Sequence, residues 1–125
     1  PSALNFRRSW FIPHKLDVAA MRRAAKHLQG EHDFTSFRAG NCNAKSPVRT
    51  MDRVEILKQD GYLIFEFEGK GFLKHMVRNF VGTLVYVGKK KFAAKDVKSI
   101  LDVRNRKMAG PTAPSHGLCL IKVEY

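Results

Sequence analysis

Apolar residues recur at Leu73, Met76, Val77, Phe80, Val81 and Leu84, the i, i+3, i+4 spacing of one helix face. The opposite stripe carries Lys74, His75, Arg78, Asn79 and Tyr86. The pattern predicts an amphipathic helix opening near Gly71, which permits a sharp approach, and stopping at Gly88. A second helix is predicted after Asp17, a natural cap, with Leu16, Ala20, Ala24 and Leu28 inward and Arg22, Arg23 and Lys26 outward before Gly30. Strand patterns differ. Val54 and Ile56 alternate with charged residues, Leu63, Phe65 and Phe67 alternate with Tyr62, Ile64, Glu66 and Glu68, and Asp60-Gly61 between them predicts a hairpin. Asn5 to Ile12 reads as an edge strand closed by Pro13. Leu118 to Tyr125 reads as a final strand with Cys119, Ile121, Val123 and Tyr125 on one face. A short helix with Val97, Ile100 and Leu101 inward follows Lys89-Lys90-Lys91. Glu31 to Pro47 has no period and reads as a long loop carrying Phe34 and Phe37, a length that in small domains points to function.

The order of elements predicts an α+β fold, an antiparallel sheet covered on one face by helices. The 125 residues suffice for one domain with a core that needs neither disulfide nor metal. No apolar run approaches the roughly 20 residues of a membrane span, and no secretory apolar segment opens the chain.

Charge changes the picture. Twenty-three Lys and Arg against eleven Asp and Glu give +12, which points to a polyanionic partner. The cations are spread over several elements, unlike a membrane-binding amphipathic segment. Aromatics accompany them: Arg7 and Arg8 near Trp10 and Phe11, and Arg38 beside Phe37, with eight more cations from Lys89 to Lys107. Cationic grooves with aromatic platforms hold RNA backbones and splayed bases.

Other chemistries find little support. The five histidines show no pairing at ligand spacing, and Cys42 and Cys119 lie far apart, so no metal is expected and two free thiols in a reducing compartment are. No nucleophile sits in a recognisable elbow. Gly69-Lys70-Gly71 lacks the spacing of a phosphate loop and reads as a tight turn. Glu55, Glu66 and Glu68 read as solvated strand positions. Asp33 alone has an unusual setting, where fixing the loop by a hydrogen bond is expected over a general base. Pro1 in place of Met fits either methionine removal or excision from a longer chain.

Four segments, in order, carry a further pattern: His32-Asp33-Phe34-Thr35-Ser36-Phe37-Arg38-Ala39; Ser46-Pro47-Val48-Arg49-Thr50; Gly71-Phe72-Leu73-Lys74-His75-Met76-Val77-Arg78-Asn79; and Ala109-Gly110-Pro111-Thr112-Ala113-Pro114 with Gly117-Leu118-Cys119-Leu120. Together they resemble the bacterial tRNA pseudouridine synthase A family over nearly the whole chain. The resemblance implies a pseudouridine synthase half-fold, cytoplasmic tRNA substrates modified in the anticodon arm, a homodimer and no cofactor. In that family an aspartate in a Gly-Arg-Thr-Asp motif acts at the ribosyl centre, and a tyrosine packs on the base. Neither motif is present, so residues 1–125 are expected to be the C-terminal domain, inactive alone without its N-terminal domain. By motif, Arg49 matches the arginine paired with the absent aspartate, and Leu73 matches the apolar residue against the base. Arg78, His75, Lys74, Phe72 and Arg38 are implied to contact substrate, Arg78 through RNA phosphate or by supporting the cleft. Two positions depart from the family's pattern: Lys74 stands where His or Tyr is usual, and Asn105-Arg106 where Asp-Arg is. The alternative is a non-enzymatic, basic RNA-binding module.

Overall fold

Five strands form one antiparallel sheet in the order β2-β3-β4-β1-β5. They are β1 (Leu4–Phe11), β2 (Gly30–Asp33), β3 (Val48–Gln59), β4 (Tyr62–Gly69) and β5 (Leu118–Glu124). Between them run three helices: α1 (Val18–Leu28), α2 (Met76–Gly88) and α3 (Asp96–Val103). Two 3-10 turns, Thr35–Phe37 and Arg106–Met108, complete the chain. The computed structural model describes residues 4–11, 16–40, 42, 44–60, 62–73, 75–113 and 118–124, with 4–11 and 118–124 described by their backbone.

The hairpin forms where alternation predicts it. β3 and β4 pair from Gln59↔Tyr62 back to Met51↔Gly69, with Asp60 left-handed at φ 49 in the turn. Val54, Ile56, Leu63, Phe65 and Phe67 are buried, and their faces meet the helices. Phe80 of α2 stacks on Phe67 at 5.7 Å between ring centroids. The helices cover one face of the sheet, as the pattern predicts. A register shift between Met51 and Arg53 interrupts β3, leaving Asp52 exposed. Met51 and Val54 therefore both face the core although three positions apart.

Three readings need correction. β1 is interior, paired to β4 on one side and β5 on the other, and the expected closure at Pro13 lies outside the described residues. The 31–47 segment is not all loop, because Gly30–Asp33 pairs with Val48–Met51. Four residues without alternation carry no strand signal of their own. Finally, α2 begins at Met76 and not near Gly71, since His75 is left-handed at φ 61 and breaks the helical dihedrals.

α1 follows its pattern closely. The Asp17 carboxylate accepts from Ala20 N at 3.0 Å, and Ala20, Ala24 and Leu28 are buried while Arg22, Arg23 and Lys26 are exposed. At the same end Gly88 closes α2 against α1, its carbonyl accepting from Asp17 N at 3.0 Å: a methyl group there would stand 2.5 Å from Met21 Sδ and 3.2 Å from Leu16 Cβ. α2 ends at Gly88 as expected, but the left-handed residue beyond it is Lys90, φ 63, so the glycine serves close helix contact and not the left-handed cap.

Candidate functional site

The β2–β3 ladder places His32 opposite Arg49, and Phe34 N bonds Pro47 O at 3.0 Å, so the first two patterned segments lie side by side. Arg49 donates from Nη1 to the carbonyls of Ser46 (2.8 Å) and Val48 (2.7 Å), which curls its fork over the start of its own strand. Its stem runs past Gly71, where a methyl group would lie 3.5 Å from Nε and 3.7 Å from Cδ. This contact joins the second segment to the third. Among the described residues no carboxylate forms an ion pair with Arg49.

Beside it, residues 70–73 approach α2 as a loop. Leu73 is 4% exposed, Phe72 packs half-buried against the core, and Met76 N turns back to Leu73 O at 3.0 Å. His75 is exposed at the left-handed corner. Lys74 lies outside the described residues. The left-handed corner thus falls on His75, and Gly71 is not where the chain turns into the helix.

Arg78 reaches back to the fourth segment. Its Nε donates to Ala113 O at 2.8 Å, and Ala113 N donates to Arg78 O at 3.0 Å. Arg38, half-buried, follows the turn Thr35–Phe37. Phe34 and Phe37 are fully buried and pack edgewise and tilted around Phe80. Both are core, and Phe37 is not the stacking platform expected beside Arg38. The side chains of Arg7, Arg8, Trp10 and Phe11 lie outside the described residues. Interleaving of cation and aromatic persists at Tyr86, with Lys91 Nζ 4.8 Å above its ring and Phe92 edge-on.

Asp33 holds the loop, as its setting suggested. Its Oδ1 accepts from Thr35 N (2.9 Å) and Thr35 Oγ1 (2.6 Å), and Oδ2 lies 3.5 Å from Arg104 Nε. Burial pushes this carboxyl up, but the two Thr35 bonds, Arg104 and Arg38 outweigh it and hold the pKa below its ordinary value. With both oxygens engaged it is not poised as a base.

Sequence pattern misjudged three residues. Asn79, placed on the solvated stripe, is fully buried. Its Nδ2 donates to Phe37 O at 2.7 Å, and its Oδ1 accepts from Arg106 Nη2 (3.0 Å) and Thr112 Oγ1 (2.5 Å). Arg106 was noted only in the pair with Asn105 and Thr112 only within the fourth segment, neither with a role. The available signal was an asparagine amid Met76, Val77, Phe80 and Val81, since Asn in an apolar helix must be satisfied internally. The unusual Asn105 keeps the geometry an aspartate would supply: its Oδ1 accepts from Lys107 N at 3.0 Å and its N donates to Ser36 Oγ at 2.9 Å. What it lacks is the negative charge beside Arg106.

The described residues of the site bring together Arg49, which has no carboxylate partner among them, the apolar Leu73 and Phe72, and exposed cations on α1 and at Lys89, Lys90 and Lys91. Among the described residues no group of three or more His, Cys, Asp or Glu could hold a metal, and no helix is long and apolar enough to cross a membrane. The family model of tRNA pseudouridine synthase matches residues 24–125. The tRNA pseudouridine synthase A of Brucella anthropi is 43% identical over all 125 residues, which are 50% of its length. That of Bartonella tribocorum is 44% identical over the same 125 residues, 51% of its length. The chain spans about half the length of these curated relatives.

Proposed function

The chain belongs to the tRNA pseudouridine synthase family, and we propose that it builds one wall of the cleft in which such an enzyme isomerises uridines of the tRNA anticodon arm. The observation that carries this reading is Arg49, lying against Gly71 beside the buried Leu73 with no carboxylate paired to it among the described residues. Nη1 of Arg49 is taken by the carbonyls of Ser46 and Val48, and the rest of the fork keeps donors suited to a carboxylate. An aspartate from a preceding N-terminal domain would supply one, and the ion pair would keep that acid ionised and oriented.

On this reading the aspartate acts at the ribosyl centre and the bond from C1′ to N1 breaks. The uracil turns, C5 bonds to C1′, and the hydrogen on C5 leaves to solvent as N1 gains one, so the product is an isomer. Leu73 and Phe72 give the base an aliphatic and aromatic wall that offers no competing hydrogen bond during rotation. Arg38, His75 and Arg78 serve the RNA side, Arg78 by fixing Ala113, and Lys74 joins them by the resemblance alone. The partners are tRNA, the N-terminal domain and a second copy of the protein, in the cytoplasm. Residues 1–125 alone are inactive because the nucleophile lies in the other domain.

Tritium release from tRNA labelled at uridine C5 tests this. The intact enzyme should release it, and the 125 residues alone should not. Arg49→Ala in the intact enzyme should lower kcat about 100-fold and leave KM for tRNA within about two-fold, because its partner is the acid and not the RNA. Equal losses in both would contradict the role, and turnover by the 125 residues alone would sink the divided site. A non-enzymatic RNA-binding module would instead show tRNA affinity falling with salt, each phosphate contact contributing about −0.7 to −0.9 to the logarithmic slope, with no tritium release from the intact protein.

A further inference from the structure

Arg106, in the 3-10 turn after α3, lies outside every residue assigned to the cleft, yet three of the four patterned segments meet at its network. Nη1 donates to Gly110 O at 2.7 Å, and Nη2 donates to Asn79 Oδ1 and Thr112 Oγ1, each at 3.0 Å. Through Asn79 the network reaches Phe37 O. Gly110 N adds a bond to Thr83 Oγ1 at 3.0 Å, and the reciprocal pair between Arg78 and Ala113 pins the far end. Residues 110–113 thus lie flat on α2. The approach is so close that a methyl group on Gly82 would fall 1.6 Å from Pro111 O.

Two features set this arginine apart from an ordinary structural cation. It is partly buried, and among the described residues it forms no ion pair with a carboxylate. Burial lowers its pKa. Desolvating a guanidinium against neutral oxygens adds little to stability compared with apolar packing of similar volume. What the fork supplies is direction: planar donors fix the relative placement of Gly110, Thr112 and Asn79. Asn79 N in turn bonds His75 O at 2.9 Å, so the placement passes to the corner between Leu73 and α2.

We propose that Arg106 is a positioning residue for the uridine cleft, holding residues 110–113 against α2 so that the corner carrying Leu73 and His75 stays where the base must turn. The proposal rests on the cleft assignment above. A displacement near 1 Å at a reacting centre costs on the order of 100-fold in rate, which sets the scale of the test.

In the intact enzyme, Arg106→Ala should lower kcat about 10- to 100-fold with KM for tRNA within about two-fold, at a temperature where circular dichroism shows both proteins fully folded. Arg106→Lys should stay impaired, because an ammonium cannot reproduce the fork, and added methylguanidinium should restore part of the alanine variant's rate. Thr112→Val, nearly isosteric, removes one acceptor of the fork and should lower kcat about 3- to 10-fold even if the alanine variant folds poorly. Amide exchange gives a readout independent of turnover: Gly110 and Ala113 should exchange about 10-fold faster in Arg106→Ala and Thr112→Val. Unchanged kcat, a rise in KM alone, or unchanged exchange at Gly110 and Ala113 would overturn the proposal. If the unsubstituted enzyme releases no tritium, the cleft assignment fails, and the exchange rates still decide whether Arg106 holds the segment.

Discussion

α1 and α2 are neighbours of similar length, 11 and 13 residues, touching where Gly88 clears Met21. α1 keeps its polar residues for solvent: Arg22, Arg23 and Lys26 are exposed, and its apolar stripe does the packing. α2 has no comparable wet face. Every residue from Met76 to Gly88 except Arg78 and Tyr86 is buried, and those with polar side chains form internal bonds, Asn79 to Phe37 and Thr83 to Gly110. The same amphipathic spacing therefore describes a helix on the surface and a helix inside. What separates them is whether a further layer, here residues 109–113, covers the polar stripe.

The sharpest break of this comparison is Gly82→Ala. On an open helix the change would gain about 1 kcal/mol. Here the new methyl group collides with the Pro111 carbonyl, and forcing the two backbones apart should cost about 3 kcal/mol or more, read by urea denaturation. Asn79→Ala should follow at about 2–3 kcal/mol, because it strands the buried Phe37 carbonyl and one donor of Arg106; a loss under about 0.5 kcal/mol would mean the polar stripe of α2 is wet after all. Asp33→Asn, which loosens the loop beside α2, should cost about 1 kcal/mol at neutral pH. Its sign with pH is fixed by the depressed pKa of Asp33. The ionised carboxyl's contribution is complete above its ordinary, unfolded value, about 4, and is lost as pH falls through the lower folded value. The gap between wild type and Asp33→Asn should therefore close below about pH 4 in denaturation curves. Arg23→Ala on the outer face of α1 should change thermal stability least, within about 0.5 kcal/mol.

The contrast also shows which parts of the fold were legible. α1 could be read end to end because period, cap and exposure agree at Asp17, Ala20, Ala24 and Leu28. The hairpin was equally plain from Val54 to Phe67. α2 was legible as a helix, but its start was not, since a left-handed backbone at His75 has no residue-type signal comparable to glycine. β2 escaped because Gly-Glu-His-Asp becomes a strand only through its partner, Val48–Met51. Phe37 was misjudged for a related reason: an aperiodic segment says nothing about which way its rings point. Of the candidate site, the segments were visible in order, and the contact of Arg49 with Gly71 was not, being set by pairing between strands distant in sequence. Arg106, noted only for its pairing with Asn105, was given no role because basic residues surround it, and its partial burial is what the structure adds.

The irregularity at Asp52 divides β3 into two stretches with opposite parity. Upstream, odd positions face the core at Met51; downstream, even positions do, at Val54 and Ile56. Residue 52 thus works as a phase shifter, and deleting it would leave length and composition almost unchanged while turning every side chain of one stretch to the other face. Arg49 and the core residue Met51 therefore share one parity upstream of the shift, and Val54 and Ile56 take the other downstream of it.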